Sequence, residues 1–209
     1  VAESADGEFH FETGRDLAVR LGYDPKDLDY VPDAAIDSFA GVGYYFDLAA
    51  LEPGADVLDL GSGSGMDAFV AGLHVTETGT VTGIDMTTEQ VEKANDLAAN
   101  NGFHNLTFHE GYIEDLPFED VSFDAVISNG VINLAAEKKQ VFEEAQRVLK
   151  PGGRLAVADI VSERQMPESI KSDADLWAAC IGGAAQIDSY TGCIESAGFE
   201  IDEVHGNPE

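Results

Sequence analysis

Residues 57–65 constrain this chain more than any other stretch. The apolar run Val57-Leu58-Asp59-Leu60 passes straight into Gly61-Ser62-Gly63-Ser64-Gly65, after which Met66, Phe69, Val70 and Leu73 recur at helical spacing. Strand, glycine-rich turn and helix in immediate succession open a βαβ unit, and the glycines let a ligand approach bare backbone where the helix begins. Thr80–Asp85 reads as the second strand. A strand that returns beside the first after a crossover helix lies parallel to it.

The alternation continues. Thr87-x-x-Gln90 has the form of a capping box and opens a helix with Val91, Ala94, Leu97 and Ala98 on one face, ended by Asn100-Asn101-Gly102. Leu106–His109 and Asp124–Ser128 read as strands three and four, and a helix carrying Val141, Phe142, Ala145, Val148 and Leu149 follows. Pro151-Gly152-Gly153 is expected to turn the chain into strand five, Leu155–Ile160. This pattern predicts an α/β fold with a doubly wound, mostly parallel sheet covered on both faces. Ligands of such sheets bind outside the carboxyl ends of the strands, where the strand order reverses. Residues 1–50 predict a helical N-terminal extension or lid with turns at Asp24-Pro25 and Val31-Pro32, and residues 51–209 the binding domain. After strand five, residues 163–187 predict a helical insertion holding Trp177 and Cys180, then a final helix at Ser189–Ala197 and a strand at Phe199–Val204. At 209 residues, one domain accommodates all of this.

The loop chemistry selects among ligands. No Gly-Lys-Ser/Thr follows, so this is not a phosphate-binding P-loop. A dinucleotide site would place a small residue where Met66 stands, and Asp59 would repel a pyrophosphate. A carboxylate at that strand end suits a ligand with a positive amino group, such as the methionine part of S-adenosylmethionine. Asp85, closing the second strand, can accept both ribose hydroxyls. Gly111-Tyr112-Ile113-Glu114-Asp115-Leu116-Pro117 is placed to cover the adenine, with Ile113 as a flat apolar contact and Glu114 or Tyr112 near the exocyclic amine. Ser128-Asn129-Gly130-Val131 is expected beside the reacting methyl, with turn chemistry or helix capping as the plainer role for Ser128 and Asn129. A non-catalytic sensor of the same nucleoside would need the same residues, and a nicotinamide oxidoreductase is the more distant alternative.

Composition narrows the partners. Forty Asp plus Glu against 11 Lys plus Arg give a formal net charge of −29, spread along the chain. Nucleic acid is disfavoured, because phosphate binding needs clustered cations. Such a surface serves solubility or adaptation to high salt, where screening removes the self-repulsion. The two cysteines, Cys180 and Cys193, form no Cys-x-x-Cys pair, which suits a reducing cytoplasm and gives no disulfide framework or metal site. Residues 1–12 lack an apolar signal core, and no apolar run approaches the roughly 18 residues of a membrane span.

These residues resemble a known family. Asp59–Gly65 is similar to the first motif of class I methyltransferases. Val81-Thr82-Gly83-Ile84-Asp85-Met86-Thr87 with Gln90, Gly111-Tyr112-Ile113-Glu114, and Ser128-Asn129 before Val131-Ile132-Asn133-Leu134 resemble arsenite methyltransferases. So do Arg147–Arg154 and Leu176-Trp177 with Cys180, Gly182, Gly183 and Ala184. The resemblance runs from about Val31 to Phe199. It implies S-adenosylmethionine as methyl donor, with Ser62, Met86, Gln90, Ser128 and Asn129 joining the binding residues above, and Cys180 with Asn129 at the reacting centre.

The thiol equipment departs from that family. Arsenic chemistry there uses cysteine thiolates converging on a soft trivalent centre. Where the family carries cysteine, this chain has Val42, in Gly41-Val42-Gly43-Tyr44-Tyr45, and Gly130; only Cys180 matches. One thiolate cannot chelate as two or three do, so a different small-molecule acceptor is expected. Tyr44, Tyr45, Asn129, Trp177 and Cys180 are candidates for its pocket, with core packing as the plain alternative for the aromatics. His109 is expected to be structural and His74 to face solvent at a helix end; His10 and His104 carry no usable spacing. The resemblance also implies an antiparallel seventh strand. The sheet is therefore expected either to lack it or to belong to a truncated chain.

Overall fold

Residues 12–163 and 185–206 are described in a computed structural model. Strands β1 (Asp56–Leu60), β2 (Thr80–Asp85), β3 (Leu106–Glu110), β4 (Phe123–Asn129) and β5 (Leu149–Ala158) form one sheet in the order β3-β2-β1-β4-β5. Every pairing in it is parallel. The order reverses between β1 and β4, so the crossovers diverge and leave the carboxyl tips of those two strands uncovered.

The pleat assigns the residues to two faces. Val57, Val81, Ala125, Ile127 and Ala156 share one apolar cluster with α5 (Met66–Val75) and α6 (Thr88–Asn100). Leu58, Leu60, Ile84 and Val126 share the other with α7 (Lys138–Val148) and Tyr190 of α8 (Ile187–Ser196). The described part of the N-terminal extension holds four short helices, α1 (Arg15–Leu21), α2 (Pro25–Leu28), α3 (Asp33–Asp37) and α4 (Phe46–Ala49). Asp24 caps α2 by accepting from Lys26 N at 2.9 Å, with Pro25 at the first helical position. Tyr23, Leu28, Ile36, Tyr45 and Phe46 of this extension are buried in the α5/α6 cluster, so it packs into the main core.

Two expectations change. β5 begins at Leu149 and ends at Ala158, because Pro151-Gly152-Gly153 forms an irregularity within the strand, Gly152 at φ +82°, rather than the turn before it. Phe199–Val204 forms no strand among the described residues. The described sheet has no antiparallel member. Beyond β5, β6 (Val161–Ser162) pairs with β7 (Ala185–Gln186). The far end of the expected 163–187 insertion is therefore strand rather than helix, and residues 164–184, with Trp177, Cys180, Gly182 and Gly183, lie outside the described residues, as does His10. Among the described residues, no helix is long and apolar enough to cross a membrane.

Candidate functional site

The glycine loop is built on β2. Gly61 N and Ser62 N both donate to Ile84 O, at 2.8 and 3.0 Å, and Gly65 N donates to Ser62 O at 2.8 Å. Gly61 must be glycine: its φ is +68°, and an added Cβ would lie 2.4 Å from Val131 Cγ1. Gly63 is the opposite case, with no atom within 4 Å of its missing Cβ, which leaves bare backbone facing open space. Asp85 braces the loop. Its Oδ2 accepts from Gly63 N and its Oδ1 from Thr87 N, both at 2.9 Å. Each oxygen keeps a further lone pair, so these bonds orient the carboxylate without exhausting it.

A cavity of about 420 Å³ opens above this loop, walled by Gly41, Val42, Asp59, Ser62, Asp67 and Asn129 among others. Among the described residues, its ionisable lining groups are Glu12, Asp59 and Asp67, with no lysine, arginine or histidine. Phe39, Val42, Val131, Leu134 and Ile160 form its apolar side. A larger groove of about 1590 Å³ follows the free edge of β5 past Tyr190 and Ile194 to residues 198–206. It touches none of the glycine loop, so size does not mark the site here.

Asp59 is 2% exposed and its Oδ2 is buried without a hydrogen-bond partner. Burial, then the charges of Asp67 and Asp85, hold its carboxyl well above the usual range, opposed only by the backbone N–H of Ala68. Asp67 is buried beside it, at the second position of α5. Its Oδ1 accepts from the Tyr23 hydroxyl, and its Oδ2 from the Tyr45 hydroxyl at 3.0 Å and Asn129 Nδ2 at 2.9 Å. Burial raises this carboxyl as well, and the three donors pull it back.

Of the residues singled out in the sequence, Asp59, Gly61, Ser62, Gly63, Asn129 and Gly130 meet at this cavity. Ser62 Oγ is buried there with no partner. Gln90 also lines it, and this corrects the capping box: Thr87 makes no side-chain cap, and Gln90 Oε1 accepts from the Ser64 hydroxyl instead. Gly65 closes the loop as the N-cap of α5. Asp85 and Met86 at the tip of β2, and Gly111–Glu114 after β3, lie outside the cavity. Met86 and Tyr112 are exposed, Ile113 is buried in the second cluster, and Glu114 O accepts from Gln140. Gly111 N donates to Asp85 O at 3.0 Å, which ties the two tips together.

Ser128 is corrected by the pleat. It points to the opposite face from Asn129, fully buried, and donates to Leu60 O at 3.0 Å. Asn129 is a structural hub: its Nδ2 donates to Asp67, Tyr23 OH at 3.1 Å and Gly43 O at 3.0 Å, and its Oδ1 accepts from Val42 N at 2.7 Å. Its hydrogen bonds fasten the extension to the sheet. Tyr45 is core, 1% exposed, and half-buried Tyr44 meets Tyr23 edge-on; both border the larger groove along β5 and neither lines the cavity above the glycine loop. His74, part-exposed in the last turn of α5, also packs flat on Phe46 at 5.4 Å, while His109 meets Phe118 edge-on, a structural contact. Cys193 is a free thiol on α8, and Cys180 lies outside the described residues. Asp67 and Tyr23 were not legible as site residues. An acid among Met66, Ala68, Phe69 and Val70 is the one signal that would have pointed to Asp67.

Known proteins share this sequence pattern and fold. Residues 51–198 match the family model described as a methyltransferase domain. An arsenite methyltransferase of Halobacterium salinarum is 43% identical over 193 residues, 92% of this chain and 49% of that protein. The human arsenite methyltransferase is 44% identical over 68% of this chain and 40% of its own length. The crystal structure of an arsenic(III) S-adenosylmethionine methyltransferase from Chlamydomonas reinhardtii superposes with a TM-score of 0.77 at 41% identity, covering 83% of this chain and 60% of that one. The chain thus spans about half the length of the curated relatives it matches.

Proposed function

Because this chain belongs to the methyltransferase-domain family and is similar to its arsenite methyltransferases, we propose that it binds S-adenosylmethionine above Gly61–Gly65 and passes the methyl group to a small-molecule acceptor. One observation carries this reading. A buried, partnerless carboxylate oxygen of Asp59 borders a cavity whose ionisable lining, among the described residues, is entirely acidic. That lining favours a ligand with a cationic amino group and opposes a pyrophosphate.

The residues fit the donor. Asp59 would take its amino group, the open backbone at Gly63 its amino-acid end, and Asp85 its ribose hydroxyls, with Met86, Tyr112, Ile113 and Glu114 on the adenine side. The bound donor supplies a methyl already activated on a sulfonium. The protein's part is alignment and exclusion of water, and alignment alone can contribute about 7–11 kcal/mol. The apolar side formed by Phe39, Val42, Val131, Leu134 and Ile160 suits that task. Asn129, with its hydrogen bonds already filled by protein, shapes this wall rather than moving a proton.

A second reading, methylation of arsenite through Cys180, is favoured by the named activity of the relatives. Val42 and Gly130, both at the cavity, weigh against it. The deciding experiment follows radiolabelled methyl from S-adenosylmethionine into an extract of small metabolites. Parallel arms contain arsenite with glutathione, for the wild type and for Cys180→Ser. Label in an organic metabolite supports the first reading, and arsenite methylation lost in the variant supports the second. No label in any arm, with the nucleoside still bound, leaves a non-catalytic sensor. A reducing cytoplasm and a salt-adapted acidic surface belong to the same proposal, on the cysteine usage and the net charge of −29.

A further inference from the structure

The donor end of the cavity holds two carboxylates in unlike surroundings. Asp67 receives three donors, from Tyr23, Tyr45 and Asn129, and sits in the first turn of α5. Those contacts stabilise its ionised form. Asp59 receives the backbone N–H of Ala68, while its Oδ2 is buried and meets nothing. The groups that face this pair are acids or neutral. From β2 comes Asp85, from the extension the Tyr23 and Tyr45 phenols with Glu12 in the cavity lining, from β4 Asn129, and from α6 Gln90. Lys93 of α6 is engaged by Ser38 Oγ at 2.6 Å.

Two adjacent buried carboxylates without a cation do not both ionise readily. The unlike hydrogen bonding decides which one keeps the proton. We propose that the empty donor site stores one proton on the Asp59–Asp67 pair, seated on Asp59, and releases it to solvent when a ligand's ammonium group docks there. The step balances simply: Asp59 carboxylic acid and ligand ammonium become a carboxylate–ammonium contact plus one proton taken by buffer. Burial and the charges of Asp67 and Asp85 push Asp59 upward in the empty protein, the direction this requires. Asp67 is then a positioning residue, whose charge sets where its neighbour's proton sits. This rests on the functional reading above, since it takes the amino-bearing nucleoside as the ligand.

Coupled proton release makes affinity fall tenfold for each pH unit on the acid limb. On the alkaline side the loss of the proton from the ligand's own ammonium group sets the limit. The test is calorimetry of the full chain with S-adenosylhomocysteine, across pH, in buffers of different ionisation heat. Close to one proton released per ligand on the acid limb is the expected result. Asp67→Asn should shift that limb to lower pH and reduce the release, and Asp59→Asn should weaken binding at least a hundredfold. Binding with the same heat in every buffer at every pH overturns the proposal and leaves the functional reading standing. The wild-type heats decide this even where a variant fails to fold. No binding at any pH overturns both.

Discussion

Val42 and Gly130 complement each other across the cavity wall: a Cβ added to Gly130 would lie 3.3 Å from Val42 Cγ1. The first comes from the N-terminal extension, the second from the tip of β4, and Asn129 joins them by accepting from Val42 N. The resemblance to arsenite methyltransferases implies cysteine at both positions. The double variant V42C/G130C should therefore place two thiols within reach of one soft trivalent arsenic. It is expected to bind phenylarsine oxide at least a hundredfold tighter than wild type, read by competition with a dithiol. Gly130 stands at φ +71°, so the cysteine there should cost about 1–2 kcal/mol, visible as a lower melting temperature.

The bare Asp59 oxygen is a stability cost. Its folded-state carboxyl is held up by burial, so the native protein binds more protons than the unfolded chain above the unfolded value of about 3.9. Stability from this group is thus lost as pH rises through that window towards the folded value. Asp59→Asn should match wild type near pH 4 and exceed it by about 1–3 kcal/mol once Asp59 ionises, as measured by urea denaturation without ligand. An advantage that does not grow with pH would refute this account.

Asn129→Ala should destabilise by about 2–4 kcal/mol, because it strands Val42 N, Gly43 O and one donor contact of buried Asp67 at once. The loosened element should be the extension. Hydrogen exchange is expected to rise at residues 38–49 more than in β1 or β4. Uniform acceleration across the sheet would show that Asn129 matters to the core and not to this junction.

With 40 acids against 11 lysines and arginines, the folded state repels itself. Raising KCl from 0.1 to 2 M shortens the screening length from about 10 Å to about 2–3 Å. The melting temperature should climb by several degrees or more. Pairs such as Lys150 with Asp56 and Asp124, at 3.0 and 2.8 Å, weaken in the same salt but are too few and too exposed to reverse the trend. A flat or falling melting temperature would argue for solubility alone.

Much of this was legible because it is local. The glycines of the loop, the acids closing β1 and β2 and the 3.6-residue spacing of α5, α6 and α7 are written in consecutive residues, and the strand boundaries of β2 agree with the expected Thr80–Asp85. Failures came where a partner distant in sequence competes. Gln90 has the spacing of a cap, yet Ser64, 26 residues away, holds its side chain. Pro151-Gly152-Gly153 reads as a turn, but pairing with β4 draws the strand through it.

What the sequence by itself determined is the order of strands and helices and the two carboxylates at neighbouring strand tips, since propensity and hydrophobic period are properties of adjacent residues. Only the tertiary structure decided which side chains share a space. The pleat and register of β1 and β4 turn Asp59 and Asn129 to one face and Ser128 to the other. The docking of the extension brings Tyr23 and Tyr45, 44 and 22 residues away, onto Asp67. Burial and hydrogen bonding at that junction set the charge of the site, and both arise only when distant segments close over it.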